Sequence, residues 1–534
     1  MTPIVVDTAA DVVDSKDGAT SLREALILAQ SDGRDAEITF DEALKGERLV
    51  LTQGQLEIDR LKGALTVDGD LDRDGKADIT IDADGGSRVL DIAGHRAADA
   101  EVALNGLVIT GGRTEDSAAN GGGINAAYAD LSIRNSAIIG NATTGDSESG
   151  SSANTPLAQG GGIYAYRTGL EIDRSTISGN STSGDYGYGG GLTIVLGELD
   201  IDRSSISENS TSGYFGVGAG LTALRTDSTI TRSAINDNLT TGVNADGAGI
   251  AAEFGTMTID DSTVGHNVTT GDDSDGGGLA IVSLDIDIAN STLAENVTTG
   301  LNAFGGAVAS GGTIPGRAVD MKLTNTTVTG NAVADGAGAG LAINGIGDMI
   351  VENSIVAGNA VDNSLVGGPD TSDVLGGLTE SNGGNLFGQE VVNGASPDDR
   401  VGVDPATVFA RTEAIGQDAI AGGVLADNGG RTETVALAKD GPAIDAAVDA
   451  DALDTDGDRL VFDQRGLPRA YDAVEGGGAV DIGSYEHGDP EDRPGLTPYT
   501  SLAEQIESIA SDDLALVLEA VLGRMNGGDD TLLS

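Results

Sequence analysis

The sextet Ser-x-(Ile/Val/Leu)-x-x-Asn recurs along this 534-residue chain, and for much of it the sextet returns every 29 positions. Its closing asparagines are Asn180, Asn209, Asn238, Asn267 and Asn296. Asn141 lies 39 residues before that series, Asn331 lies 35 after it, and Asn359 follows 28 later. A fixed period of this size predicts a solenoid, because one such repeat cannot bury its apolar face alone and must stack on its neighbours.

From Gly121 to Asn359 an aligned coil reads Gly-Gly-Gly-Ile, a variable stretch, Leu-x-Ile-x-x-Ser-x-Ile-x-x-Asn, then Thr-Thr-Gly and an acidic loop. The apolar residues alternate over three to five positions between Gly and Asp turns, which predicts three short strands per turn. The expected fold is all-β, a right-handed parallel β-helix, with stacked coils about 4.8 Å apart. In such a stack the asparagines become an inward hydrogen-bonded ladder. Ser136, Ser175, Ser204, Ser233, Ser262 and Ser291 form a second ladder. Arg174, Arg203 and Arg232 stand beside Asp173, Asp202 and Asp260 as a surface charge ladder. The glycine triplets recur in every coil, so they belong to the scaffold and not to a phosphate-binding loop.

The flanks read differently. Residues 1–46 predict a cap: a strand at Ile4-Val-Val6, then a helix opened by the capping box Ser21-Leu-Arg-Glu24. A helix there covers the edge of the first coil, which otherwise invites strand addition. Residues 47–365 form the β-helix, and 366–489 a Gly/Asp-rich end where the period breaks. Residues 490–534 hold a Pro-containing linker and a short amphipathic helical segment with Leu502, Ile506, Ile509, Leu514 and Val521 on its apolar side.

Charge and composition narrow the function. With 29 basic and 85 acidic side chains the net charge is −56, a field that repels nucleic acid and anionic lipid and favours bound cations. Zero cysteines exclude disulfides and thiolate chemistry. The start Met1-Thr-Pro-Ile-Val-Val-Asp7 has no basic and apolar leader, and no run approaches 18 apolar residues, so neither a signal peptide nor a membrane span is expected.

Two segments have the chemistry of a cation loop. In Asp70-Leu-Asp72-Arg-Asp74-Gly75-Lys76-Ala-Asp78, oxygen ligands alternate around a glycine turn, with Lys76 offering its carbonyl; this is how a loop wraps Ca²⁺, and the bland alternative is an acidic turn. It resembles the short calcium loops of dockerin or thrombospondin type 3 repeats. Asp454, Asp456 and Asp458 repeat the pattern in degenerate form. No catalytic residue is assigned. His95, His266 and His487 are scattered, and the aspartates are spread in ladders instead of converging as a hydrolase requires. Tyr164, Tyr166, Tyr186, Tyr188, Tyr214 and Phe215 cluster on adjacent coils, either as a sugar-stacking stripe or as loop packing.

Three segments carry a family resemblance. Asp17-Gly-Ala-Thr-Ser-Leu-Arg-Glu-Ala-Leu26 resembles the CSLREA motif of bacterial exported β-helix proteins, with Thr20 where the motif has cysteine. The repeats resemble those of pectate-lyase-like and polymorphic outer-membrane-type proteins. Pro442-Ala-Ile-Asp445, Asp463-Gln-Arg-Gly466 and Asp481-Ile-Gly-Ser-Tyr-Glu486 are similar to the choice-of-anchor Q domain. Gly527-Gly-Asp-Asp-Thr-Leu532 looks like an RTX fragment, which implies type I secretion. Together these imply a secreted or cell-surface bacterial protein, non-catalytic and calcium-stabilised, acting in adhesion or in matrix or filament assembly. Its expected partners are further copies of itself or a cell-surface glycan. The alternatives are a polysaccharide lyase or hydrolase and a glycan-binding module. The period slips between Asn141 and Asn180 and between Asn296 and Asn331 are where a specific site is expected.

Overall fold

The computed structural model describes residues 3–31, 34–59, 63–94, 100–116, 119–145, 158–311, 319–343, 347–364, 372–389, 392–448, 452–455, 457–469 and 480–488. The chain winds into a parallel β-solenoid of about eleven turns, and helices are few. Each regular coil carries four short strands where three were expected. In one coil these are Ile163–Tyr166, Gly169–Asp173, Thr176–Ser178 and Ser181–Thr182. The first two belong to one sheet, separated by Arg167 in the left-handed region (φ 52°). In later coils they fuse into single strands, Leu221–Thr231 and Ile250–Asp260. That bend is a change of backbone conformation at a residue of no fixed type, so the hydrophobic pattern does not reveal it.

Register is strict because the side-chain period of a strand is two, and a one-residue slip would turn each core residue outward. Ile163 pairs with Leu192, Leu192 with Leu221, and Leu221 with Ile250. Ile138, Ile177, Ile206 and Ile235 stack in the same way on the next wall. These columns are buried and fill the interior. Ser228 interrupts a third inward column between Leu199 and Met257, and its buried hydroxyl has no partner.

The two predicted polar ladders are present. Asn209 Nδ2 donates to Asn238 Oδ1 at 3.1 Å, and Asn209 Nδ2 also reaches Ile177 O at 2.9 Å. The backbone N–H of Asn209 donates to the same Asn238 oxygen. Each step repeats this from Asn141 to Asn359. The serine ladder is built likewise, with Ser175 N on Ser204 Oγ at 3.0 Å. A Cβ added to Gly191 would lie 2.9 Å from the Asn209 carboxamide, and Gly189 turns the corner at φ 63°. The glycine triplet is therefore the steric counterpart of the asparagine.

Both ends are closed. Ile4–Val6 pairs with Ala36–Phe40, and the helix Leu22–Ala29 buries Leu22, Ala25, Leu26 and Ala29 over the first coil. Its capping box is complete: Ser21 accepts from Glu24 N while Glu24 accepts from Ser21 N. Arg23, ion-paired to Asp11 at 2.7 Å, ties the helix to the carbonyls of Gly54 and Gln55. At the other end the coils continue through Leu386–Phe387, and the chain then crosses under them, with Phe387 N on Arg400 O at 2.8 Å.

From residue 404 the chain turns back and lies along the solenoid flank. Its short hairpin, Thr412–Ile415 with Ile420–Gly423, is antiparallel, unlike the pairings between coils. A second apolar cluster forms at this seam, with Ala294, Ile355 and Leu386 from the coils and Phe409, Leu437 and Ile482 from the returning segment. The segment also seals its seam with polar bonds. Gln464 reaches Ser262 O, and Ser484 N donates to Thr327 Oγ1 at 3.2 Å.

Candidate functional site

The first cation loop gathers part of its expected set. Asp70, Asp72 and Asp78 bring ligand oxygens within 4.8 Å of one another. Backbone geometry aims them: Asp70 accepts from the amides of Asp74 and Gly75, both at 3.1 Å, and Asp78 from Leu71 N at 2.9 Å. Asp74 is turned to its own turn, accepting from Lys76 N at 3.0 Å, so Asp74 and Lys76 stand outside the cluster. Lys45 enters instead. Its ammonium bonds Asp72 and lies 3.2 Å from Asp78. The bond to Lys45 holds the exposed Asp72 carboxyl below its usual range, while burial raises Asp70. Three carboxylates of this kind suit a hard oxygen-seeking cation, and one ammonium already contacts two of them. Among the second set, Asp458 N donates to Asp454 Oδ1 at 2.8 Å, closing an ordinary turn; Asp456 lies outside the described residues.

The charge ladder mixes exposed arginine with more buried aspartate. Arg203 bridges Asp173 at 3.0 Å and Asp202 at 2.6 Å, and Arg232 continues the ladder to Asp202 at 2.8 Å. One coil on, the arginine column changes sign at Asp261, beside Asp260. Burial raises both of these aspartates, and the neighbour on the next coil reaches the returning segment: Asn290 donates to Asp261 at 2.6 Å and to Phe462 O at 3.1 Å. This is the one coil whose ladder inverts among the described residues, and the returning segment lies over it. Nothing in the 29-residue period marks it except the replacement of Arg by Asp.

A second ionisable box lies further along the same seam. His266 Nε2 is 2.6 Å from Glu295 Oε2, and Leu425 N donates to the other Glu295 oxygen at 2.8 Å. Glu433 of the returning segment and Asp237 face the same histidine. By its place in the sequence His266 is an isolated histidine; only stacking at 29 residues places Asp237 and Glu295 on either side of it.

Aromatic residues form two groups. Tyr128 and Tyr166 meet edge to face at 5.5 Å, with the Arg167 guanidinium 5.9 Å and 5.6 Å from their centroids. On the same column Arg225 covers Phe254 at 5.2 Å. Tyr128, Arg167, Leu196, Arg225 and Phe254 all take left-handed backbone at consecutive coils. Bulky residues adopt that conformation rarely. Tyr186, Tyr214 and Phe215 pack together in the acidic loops. Tyr164 is half-buried, its hydroxyl pushed up to about 12 by the loss of water around it, and Tyr188 shifts the same way. The predicted cluster of six thus divides, and Tyr128, Arg167, Arg225 and Phe254 join the outer stripe.

The C-terminal motif residues converge on one buried lock. Arg465 pairs with Asp463 at 2.6 Å, donates to Glu486 O and lies 3.6 Å from the Tyr485 ring centroid. Arg469 donates to Asn290 of the coil and to Gly483 O at 2.9 Å, with Glu486 at 3.6 Å. Asp481 accepts from Asp445 N at 2.7 Å. These charges are occupied with one another, so the motif fastens the segment to the solenoid. The period slips fall largely on residues 146–157 and 312–318, and the expected tail helix on 489–534, all outside the described residues. No described helix is long and apolar enough to cross a membrane.

No family model matches the chain, and no curated protein is similar to it. Among solved structures it is similar to the crystal structure of pectate lyase Pel9A, at 14% identity and a TM-score of 0.36, over 91% of this chain and 98% of that one.

Proposed function

We propose that the chain is a non-catalytic β-solenoid scaffold that acts outside the cell in adhesion or matrix assembly, through its surface columns. The observation that carries this reading is the bonding of the carboxylates. Those on the ladders are spent on arginines one coil away, as with Arg203 between Asp173 and Asp202. Of those that converge, Asp260 and Asp261 are half-buried beside the returning segment, and Asp70, Asp72 and Asp78 are bonded to Lys45 and to backbone amides. A glycosidase needs two carboxyl groups flanking an accessible bond, and carboxylates already held by arginine, lysine or backbone amides do not supply that pair.

A glycan is the partner that the stripe supports. Tyr128, Tyr166 and Phe254 offer ring faces and edges at the coil repeat, and Arg167 and Arg225 supply donors among them. Aromatic faces suit the apolar faces of sugar rings, and guanidinium groups bond hydroxyl or carboxylate oxygens. Calcium belongs to the same reading, as an ion held by Asp70, Asp72 and Asp78 in place of the Lys45 ammonium. The CSLREA-like and anchor-like segments, type I export and the expected boundaries at 46, 365 and 489 remain part of this proposal.

The deciding experiment incubates the full chain with neutral and uronate-containing polysaccharides. Binding without new reducing ends or unsaturated products supports the scaffold reading; turnover of either kind overturns it in favour of a lyase or hydrolase.

A further inference from the structure

The outer stripe of Tyr128, Arg167, Leu196, Arg225 and Phe254 carries a charge pattern that repeats every second coil. Strand register sets these residues at one place on consecutive coils, and their left-handed backbone puts all of them at the same bend. Two residues further on, the same register stacks Asp130, Gly169, Glu198, Asp227 and Thr256 beside them. Basic and acidic positions alternate. The Tyr128 and Leu196 coils present exposed Asp130 and Glu198, with no arginine on the stripe. The Arg167 coil has Gly169 in place of an acid. In the Arg225 coil Asp227 is occupied, accepting from Thr256 N at 3.1 Å and from Thr256 Oγ1 at 2.9 Å.

The two arginines also differ from the others on these coils. Arg134, Arg174, Arg203 and Arg232 are ion-paired to carboxylates. Arg167 and Arg225 are exposed and make no ion pair among the described residues. Each guanidinium lies against a ring, and Arg167 Nε donates to Tyr166 Oη at 3.2 Å. Glu253 feels the charge of Arg225 without pairing with it.

We propose that this stripe holds a linear acidic polysaccharide, extended along the solenoid axis, whose carboxylates occur on every second sugar, with Arg167 and Arg225 taking successive carboxylates.

Spacing and charge both point that way. Coils stack about 4.8 Å apart, close to the advance of one sugar in an extended, equatorially linked chain, so the two arginine positions stand about 9.6 Å apart. A guanidinium takes a carboxylate through two parallel N–H···O bonds. The sugars between rest on Leu196 and on the rings of Tyr128, Tyr166 and Phe254. A polymer with a carboxylate on every sugar would set one against Glu198, and that like-charge contact disfavours it. This inference rests on the glycan reading of the stripe and adds which glycan the stripe selects.

Calorimetric titration of the full chain, with chelator present, tests it with three polymers. They are hyaluronan, with a carboxylate on every second sugar, the same hyaluronan with its carboxylates amidated, and polymannuronate, with a carboxylate on every sugar. Hyaluronan is expected to bind about tenfold or more tighter than either of the others, the scale of one charged hydrogen bond. Arg167→Asn and Arg225→Asn should each weaken hyaluronan about tenfold and leave the amidated polymer unchanged. Asparagine takes left-handed backbone readily, so the bend stays, and an unchanged melting temperature verifies this. Glu198→Gln, at an exposed side chain, should tighten polymannuronate about threefold. Equal or tighter binding of the amidated polymer or of polymannuronate overturns the proposal and leaves a glycan-binding scaffold standing. Absence of hyaluronan binding, or binding unchanged in both arginine variants, overturns it too. Cleavage of polymers that bind in the expected order overturns the scaffold reading alone.

Discussion

Asn359 Nδ2 donates to Asp373 Oδ1 at 2.8 Å, and through this bond the asparagine ladder ends on a buried carboxylate. Asn359 N reaches the same oxygen, and the other Asp373 oxygen accepts from Gln389 N at 2.8 Å. The serine column ends likewise, Ser354 N on Asn385 Oδ1 and Asn385 Nδ2 on Asp399 Oδ1, both at 2.9 Å. An asparagine always carries a donor upward as well as an acceptor. A carboxylate only accepts, so it can finish a ladder without leaving a donor pointing at the next turn.

Asp373→Ala is expected to fray the last coil. It leaves three donors without acceptors, at about 1–3 kcal/mol for an unmet buried group. Hydrogen exchange should quicken over 355–403 and stay unchanged near Asn209. Asn238→Ala, in mid-ladder, should instead lower the melting temperature of the whole solenoid.

Arg469→Ala is expected to detach the returning segment. The side chain is buried, and its loss removes the donor to Asn290 Oδ1 and to the carbonyl of Gly483 and the guanidinium that faces Glu486. Breaking a buried pair by removing one partner costs about 3–5 kcal/mol. Limited proteolysis should then cut within 404–487 while the coils resist.

Ser228→Ala is expected to be neutral or stabilising, by up to about 1 kcal/mol. The hydroxyl is buried without a partner in a column of Leu199 and Met257, so its removal ends a desolvation cost. Thermal melting checks this; a clear loss of stability would mean that the hydroxyl is satisfied.

Calcium should raise the melting temperature, since an ion that binds only the folded chain stabilises it by mass action. Asp78→Asn should reduce the rise. Lys45→Met should enlarge it, because the ammonium that bonds Asp72 and Asp78 is gone. A melting temperature indifferent to calcium and chelator in all three chains removes the calcium proposal.

Asp246 and Asp275 are stacked inside the acidic loops and pushed up by burial, to about 7 and about 6. Both folded values are raised above the ordinary value of about 3.9. Stability is therefore whole below that value and declines as pH rises through the folded values. Asp246→Asn keeps the acceptor for Asp275 N. It is expected to flatten the fall in melting temperature between pH 4 and 8, with a gain of about 2 °C or more at pH 8.

The repeat alone determined the solenoid, its inward Leu, Ile and Val columns, both polar ladders and the glycines beside them, because each coil contacts only its neighbours at a constant separation. The capping box at Ser21 was equally legible, being a local pattern of four residues. Of the acidic loop, Asp70, Asp72 and Asp78 were foreseeable from spacing, whereas Lys45 was not, since it comes from a turn 27 residues upstream of Asp72. The flank was decided only in three dimensions. Gln464 meets Ser262 across 202 residues and Ser484 meets Thr327 across 157, from a segment with no period. Where contacts do not repeat, spacing holds no information about partners. The replacements of outward serine by glycine and alanine at Gly265 and Ala294, and of arginine by aspartate at Asp261, were the traces in the sequence that something would lie there.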